Sequence, residues 1–188
     1  MNEQCKLSNA AKEYLTKFYC ILDEMILGMT SVNLTNSISQ NFIMQMIPHH
    51  RAAIEMSHNI LRFTTNTTLQ EIASNIITMQ TQSIENMCNV ESKCSMFTNS
   101  CQDLYLYQRH FQMITQTMFT QMGSANANNN INTDFMREMI PHHRGAIRMS
   151  ENALMYDICP ELKPIMDKII TSQQKGILDM NTLLRCIG

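Results

Sequence analysis

Two His-His pairs are the residues of this chain whose types and spacing could do chemistry. Residues 46–57 read MIPHHRAAIEMS and residues 139–150 read MIPHHRGAIRMS, so ten of twelve positions agree at an offset of 93. Four of the six histidines lie in these two segments. Burying an imidazole without a partner is costly, so the recurrence of the pairs at equivalent positions asks for a chemical reason.

A methionine accompanies each pair at helical spacing. Met46 lies three residues before His49 and four before His50, so on a helix its side chain neighbours both. A thioether sulfur beside one or two imidazoles is a partial site for Cu(I), an ion that selects soft ligands. The corresponding residues of the second segment are Met139, His142 and His143.

A second group of methionines could form a separate soft-metal site. Met56 follows His49 by seven residues, which is roughly 10 Å along a helix and too far for the two to share an ion. Methionines on a neighbouring helix are the natural partners of Met56 and of its counterpart Met149. The candidates occur in pairs spaced four residues apart, Met25 with Met29 and Met118 with Met122.

The elements that must position these side chains are predicted to be helices. Gly and Pro together make up 9 of 188 residues, well under the average of about 12%, and apolar residues recur every three or four positions. Before and after the His segments, residues of the same type also recur 93 positions apart. The pattern predicts an all-α, six-helix bundle built from two repeats, residues 10–90 and 103–186, packed as one pseudo-twofold domain.

Each repeat is predicted to contain three helices, the second of which carries the His pair. Interior Pro48 and Pro141 predict a helix that is kinked, or one that begins, at that point. Thr68 and Glu71 are typical of a capping box at the start of the third helix, and Pro160 suits the first turn of its counterpart. The predicted ranges are 10–30, 37–62 and 68–90 in the first repeat, and 103–122, 132–156 and 161–186 in the second.

Composition and charge exclude several classes of function. The formal net charge of −2 argues against a surface built to bind nucleic acid or anionic lipid. No apolar run reaches the ~20 residues of a membrane span. The N-terminal residues lack the basic and apolar regions of a signal peptide, which predicts a cytoplasmic protein unless a leader preceded this sequence.

The seven cysteines do not form a disulfide framework, because their number is odd and their spacing irregular. We expect most of them to be reduced thiols. The one disulfide left open lies within the cluster of Cys88, Cys94 and Cys101.

Motifs of enzyme sites are almost absent from the chain. A ferritin-like di-iron site needs several inward carboxylates with Glu-x-x-His motifs, and residues 55–58 give a single match. The His spacing of zinc hydrolases, a Gly-rich phosphate loop and a Ser-His-Asp arrangement do not occur. The sequence therefore predicts a protein that is not an enzyme.

A plainer interpretation stays open for both residue types. Methionines at helical spacing are usually core residues, as we expect for Met79, Met87, Met113, Met166 and Met180. A buried histidine can be a hydrogen-bonded polar residue, which would make the chain a structural or interaction bundle. Gln80 and Gln173, which recur inside apolar stripes, are expected to hydrogen-bond a helix end or a histidine.

The motif Met-Ile-Pro-His-His-Arg-x-Ala-Ile-x-Met-Ser, followed by Ile-Ile-x-x-Gln-x-x-x-Ile-x-x-Met, resembles the DUF305 family. The likeness covers about 160 of the 188 residues, with one family unit for each repeat. It implies a ferritin-like helical fold, and copper binding or copper resistance as in some bacterial members. The candidate metal ligands that it implies are Met46, His49, His50 and Met56 in the first repeat, and Met139, His142, His143 and Met149 in the second.

These observations predict a helical bundle that binds a soft metal ion, with copper(I) as its cargo and storage, buffering or resistance as its role. The predicted partner is the metal ion, with no nucleic acid and no membrane, and a homo-oligomer is compatible with the sequence. The alternatives are a metal-free structural or interaction bundle and a ferritin-like di-iron protein.

Overall fold

The computed structural model describes residues 7–125 and 127–187, and this part of the chain contains six helices and no strand. The predicted all-α class is confirmed. None of the described helices is long and apolar enough to cross a membrane. The helices are α1 (Asn9–Thr30), α2 (Ile38–Leu61), α3 (Thr67–Cys94), α4 (Cys101–Gly123), α5 (Ile131–Leu154) and α6 (Lys163–Ile187).

The start of α3 is set by Asn66. Its side-chain oxygen accepts a hydrogen bond of 2.9 Å from the backbone N–H of Leu69, which satisfies one of the free donors of the first turn. The capping box predicted over 68–71 is therefore wrong, because the helix already begins before it. Pro160 is also outside the helix for which it was predicted, since it lies in the turn before α6 and the helix begins at Lys163.

Both helices that carry a His pair run through their interior proline without a break. Pro48 lies inside α2 and Pro141 inside α5, so the alternative of a helix that begins at either proline is wrong. Ten residues precede Pro48 in α2, so the proline cannot act as a first-turn residue. The His pairs therefore lie in the middle of long helices, where their side chains point into the bundle.

The bundle consists of two similarly built halves, α1–α3 and α4–α6. In the first half α2 packs on α1 and α3, and in the second half α5 packs on α4 and α6. The halves meet where α2 contacts α5 and where α3 contacts α6, whereas α1 and α4 touch only slightly. Because α2 and α5 are covered on several sides, their His pairs lie at the centre of the molecule.

One side-chain hydrogen bond fixes the first helix of each half to the second. Nδ2 of Asn59 donates to the backbone carbonyl of Tyr14 at 3.0 Å, and Nδ2 of Asn152 donates to that of Tyr107 at 3.1 Å. Both residues of the second pair lie 93 positions after those of the first. Because each amide is buried, sliding one helix along the other would leave it without a partner, which is costly.

A disulfide joins the two halves. Cys94 at the end of α3 is bonded to Cys159 before α6, with the Cα atoms 5.3 Å apart. The sequence placed the open disulfide among Cys88, Cys94 and Cys101, which is wrong because the partner of Cys94 comes from a distant segment. The described cysteines that are free and exposed are Cys20, Cys88, Cys101 and Cys186, and Cys5 lies outside the described residues.

Candidate metal centre

The contact between α2 and α5 brings two equivalent histidines face to face. The rings of His49 and His142 are stacked, with their centroids 3.6 Å apart and their planes 26° apart. Nε2 of His142 lies 3.1 Å from the backbone carbonyl oxygen of His49, so this nitrogen carries the proton and donates it. Both residues are fully buried. The apolar spacing of each helix includes one of these two histidines, and the structure adds that the two touch.

His50 and His143 flank the stacked rings on either side. The ring of each lies 5.9 Å from that of the preceding histidine. Nε2 of His50 lies 3.0 Å from Oγ of Ser83 on α3. The Nε2 edge of His143 faces Gly176 on α6, where an added Cβ would lie 2.8 Å from that nitrogen. We call the four imidazoles the His cluster.

Several ring nitrogens of the His cluster have no hydrogen-bond partner among the described residues. They are both nitrogens of His49 and Nδ1 of His50, His142 and His143. A neutral imidazole offers one donor and one acceptor, and leaving such a group unpaired in the interior costs about 1–3 kcal/mol. Unpaired nitrogens in the protein interior are the groups that a metal ion could use.

Burial keeps the His cluster uncharged. Desolvation, with a smaller contribution from the charge of His142, lowers the pKa of His50 to about 3. Desolvation also lowers the pKa of His142 to about 4. The pKa values of His49 and His143 lie well below their usual range, first because of burial and then because of the neighbouring imidazoles. Neutral imidazole is the form that binds metals.

The stacked arrangement is not a preformed coordination site. Within residues 7–125 and 127–187, no group of three or more His, Cys, Asp or Glu side chains is placed to hold a metal ion. In His49 and His142 the ring faces meet, whereas the nitrogen lone pairs lie in the ring planes. An ion shared by these two residues would need at least one ring to turn.

The methionines predicted as ligands are all buried, and two of them line separate clefts away from the His cluster. Met25 lines a cleft of about 270 Å³ between α1 and α2, and Met118 lines one of about 210 Å³ between α4 and α5. No member of the His cluster lines either cleft. The buried set as a whole is Met25, Met29, Met46, Met56, Met118, Met122, Met139 and Met149.

Two methionines that were expected in the core lie at the surface. Met79 on α3 is 39% exposed and Met113 on α4 is 60% exposed. The other three of that group, Met87, Met166 and Met180, are buried as expected. Helical periodicity alone did not separate the two kinds.

Two buried glutamines lie where α3 meets α6. Gln80 and Gln173 line a cavity of about 490 Å³ together with His143. The predicted hydrogen bond to a helix end or a histidine is wrong for Gln80, because its amide nitrogen and oxygen both lack a partner in the described part of the chain. Oε1 of Gln173 lacks one as well.

The structure contains a buried carboxyl group that was not predicted from the sequence. Glu138 on α5 is 3% exposed and accepts a hydrogen bond of 2.5 Å from the hydroxyl of Tyr14. Burial raises the pKa of Glu138 to about 8, although the bond from Tyr14 works in the opposite direction. At the equivalent place in the first half, Gln45 accepts from Tyr107 at 3.1 Å. Comparing the repeats position by position would have singled out Glu138 as the charged member of the pair.

These features define an all-α bundle in which two similarly built halves bury a cluster of imidazoles at their contact. Solved structures with this fold include CopM in the silver-bound form, 26% identical, with a TM-score of 0.61, over 81% of this chain and 98% of that chain. CopM in the Cu(II)-bound form is 28% identical, with a TM-score of 0.58, over 78% of this chain and 95% of that chain. A DUF305 fragment from Deinococcus radiodurans, 21% identical, shares the fold with a TM-score of 0.58, over 80% of this chain and 97% of that chain.

The chain belongs to the family described as Domain of unknown function (DUF305), whose model matches residues 39–184. The match includes both His segments and the connection between the halves. The family predicted from the motif is thereby confirmed. No curated protein matches the chain.

Proposed function

We propose that this chain binds a soft metal ion, with copper(I) as the natural cargo, for storage, buffering or resistance. The observation that carries the proposal is the His cluster, because four neutral imidazoles with unpaired nitrogens lie together at the contact of α2 and α5. A ligand that bonds to these nitrogens would offset the cost of leaving them unpaired.

The chemistry of the donors favours a soft ion over a hard one. Imidazole nitrogen and thioether sulfur select copper and its relatives, whereas Mg²⁺ and Ca²⁺ need several oxygen ligands. Among the described residues the fully or nearly buried acids are Asp134 and Glu138, too few for a carboxylate cage. The likeness to CopM, whose structures include silver-bound and Cu(II)-bound forms, supports the same class of cargo.

The residues that we propose as ligands are the four histidines together with the adjacent methionines of the same helices, Met46 and Met139. Bound metal would be held by imidazole nitrogens and thioether sulfurs in a site from which water is largely excluded. Because the imidazoles are already neutral, binding would release no protons from them.

We also propose that the chain is not an enzyme. Sequestration needs ligands and a closed interior, both of which the His cluster offers, whereas turnover of iron and oxygen needs several carboxylates at one centre. Loading with Fe(II) in air tests this point, since oxygen consumption with saturation kinetics would contradict it.

The first experiment is an anaerobic Cu(I) titration against a competing chromophoric chelator. Wild type is compared with a variant that has His49, His50, His142 and His143 changed to Gln, after circular dichroism has shown that the variant folds. The matched control changes two exposed histidines, His58→Gln and His110→Gln. We expect tight binding in wild type and in the control, and its loss in the fourfold variant.

Two results would contradict this proposal. No uptake by wild type would favour the structural or interaction bundle. Equal binding by wild type and the fourfold variant would move the site to the exposed cysteines. A thermal melt adds an independent check, because a ligand that binds only the folded state raises the midpoint.

The Cys94–Cys159 disulfide leads us to propose an oxidising compartment rather than the cytoplasm that the sequence predicted. Disulfides persist in oxidising environments and are rare in the cytosol. The test is alkylation of the protein in its native cells, before and after reduction, followed by peptide mass spectrometry. We expect Cys94 and Cys159 to be modified only after reduction, and their modification before reduction would contradict the proposal.

A further inference from the structure

The two halves differ at one position beside the His cluster. Ser83 on α3 and Gly176 on α6 are equivalent at the offset of 93, and each lies against the outer histidine of one pair. Ser83 engages Nε2 of His50 in a hydrogen bond of 3.0 Å. Gly176 has no side chain, so the equivalent nitrogen of His143 meets no hydroxyl there.

The space at these two positions differs as well. Ser83 lines a pocket of about 10 Å³, which is room for roughly one water molecule. His143 and Gly176 line the cavity of about 490 Å³ between α3 and α6. Because a Cβ at position 176 would lie 2.8 Å from Nε2 of His143, the glycine keeps this edge of the ring open to the cavity.

A soft donor lies at the same cavity. Met79 lines it from α3 and is 39% exposed, so this residue is partly open to solvent. Its equivalent in the second half is Ser172, which lines the cavity from the other side and carries no sulfur. A thioether and an imidazole nitrogen are the donor types that Cu(I) selects.

The charges around the cavity disfavour a hard cation. Lys175 is paired with Asp179 at 2.6 Å, and Lys168 also lines the cavity. The described lining therefore carries one net positive charge, and its single carboxylate is already paired. Mg²⁺ or Ca²⁺ would find amide and hydroxyl oxygens but only one carboxylate in the described lining, and that carboxylate is paired with a lysine, whereas bonding of a soft ion to sulfur and nitrogen depends less on opposite charge.

We propose that the cavity between α3 and α6 is where a soft monovalent ion first binds, with Nε2 of His143 and the sulfur of Met79 as its ligands. The inference rests on the proposed function and deepens it by making the two halves unequal. The first ion goes to His143 through the open cavity, while His50 keeps its bond to Ser83.

The test is a titration with Ag(I), a redox-stable soft ion, followed by ¹H–¹⁵N NMR of the imidazole nitrogens. We expect the first equivalent to shift Nε2 of His143 and to leave Nε2 of His50 unchanged. Met79→Leu keeps the bulk and removes the sulfur, so it lowers the affinity of this first step by about tenfold or more, the scale on which changed surroundings weaken a metal site. Met113→Leu, an exposed methionine on α4, is the matched control and binds as wild type.

A second variant tests access to the ring rather than the sulfur. Gly176→Ala places a methyl group against Nε2 of His143 while favouring the helix. We expect the first NMR shift at His143 to be lost while circular dichroism stays that of wild type. If this variant unfolds, Met79→Leu at its half-exposed position still decides the question.

The outcomes separate this inference from the proposed function. If wild type binds neither Ag(I) nor Cu(I), the proposed function fails and the inference falls with it. If Ag(I) binds tightly but first shifts His50 or His49, or binds equally well to Met79→Leu, the cavity is not the first site although the protein remains a metal binder. Competition by Mg²⁺ or Ca²⁺ at millimolar concentration would also contradict the soft site.

Discussion

Replacing Glu138 by Gln should stabilise the protein, and the gain should grow with pH. Glu138 is buried and bonded to the hydroxyl of Tyr14, and its pKa is raised to about 8. The first half carries Gln45 at the equivalent place, where it accepts the same kind of bond from Tyr107. The substitution therefore copies an arrangement that this fold already contains.

The magnitude follows from proton linkage. Between about pH 4.5, the usual pKa of a glutamate, and about pH 8, the folded protein keeps a proton on Glu138 that the unfolded chain has released. As far as Glu138 determines it, the free energy of unfolding is highest below pH 4.5. It falls by about 1.4 kcal/mol per unit of increasing pH and levels off above about pH 8. At pH 7 the loss is on the order of 3 kcal/mol, a large part of the roughly 5–15 kcal/mol that stabilises a typical domain.

Urea unfolding of wild type and Glu138→Gln at intervals from pH 6 to pH 9 measures the difference directly. Contributions of the histidines cancel, because both proteins carry them. We expect the advantage of Glu138→Gln to rise with pH up to about 8 and then stay level. Gln45→Glu is the matched control in the other half, and it should destabilise the protein increasingly over the same range. A difference that is constant with pH, or a less stable Glu138→Gln, would refute the reasoning.

Three further predictions concern other parts of the core. Mild acid should destabilise the protein, because His50 and His142 stay neutral in the folded state and gain protons in the unfolded state. Their contribution to the free energy of unfolding is complete above about pH 6.5. As the pH decreases, each contribution falls by about 1.4 kcal/mol per pH unit, down to the folded pKa values of about 3 and 4. Circular dichroism against pH measures this, and a signal unchanged down to pH 4 would contradict it. Tyr14→Phe removes the donor to the carboxyl group in the core and should lower the free energy of unfolding in urea by about 1–3 kcal/mol. A variant as stable as wild type would show that the carboxyl group has another partner. Gly145→Ala places a methyl group against the sulfur of Met118, and this overpacking should destabilise the fold by about 1–3 kcal/mol. The better helix propensity of alanine should offset about 1 kcal/mol of that loss. A raised melting temperature would show that Met118 moves aside freely.

Periodicity and recurrence were enough to predict the helices and the inward histidines. The apolar stripe of α2 includes His49, and the equivalent stripe of α5 includes His142, so one histidine of each pair had to face the core. Stacking of the two rings was beyond the sequence, because it depends on how α2 and α5 are rotated and crossed. That relation is set by packing across the whole contact and leaves no local pattern.

Each wrong prediction has a physical cause. Asn66 competes with Thr68 as a cap, and the residue whose side chain reaches a free N–H decides the boundary. Met79 is partly exposed and lines the cavity between α3 and α6, a placement that apolar spacing does not encode. Cys94 finds its partner 65 residues away, a separation at which sequence alone offers no choice among the remaining cysteines.

That disulfide turns more than a third of the molecule into a covalent loop. The whole of α4 and α5 lies between Cys94 and Cys159, so a protease that nicks the connection after α4 leaves two fragments held together until a reductant is added. The denatured chain likewise keeps a closed loop between Cys94 and Cys159, with a free segment on either side. In the chain-entropy description, closing a loop of this length disfavours the unfolded ensemble by about 4 kcal/mol. The disulfide also limits how far the two halves can separate in the unfolded chain. The segment that forms α5 therefore stays linked to the end of α3, and refolding starts with the two halves close to each other.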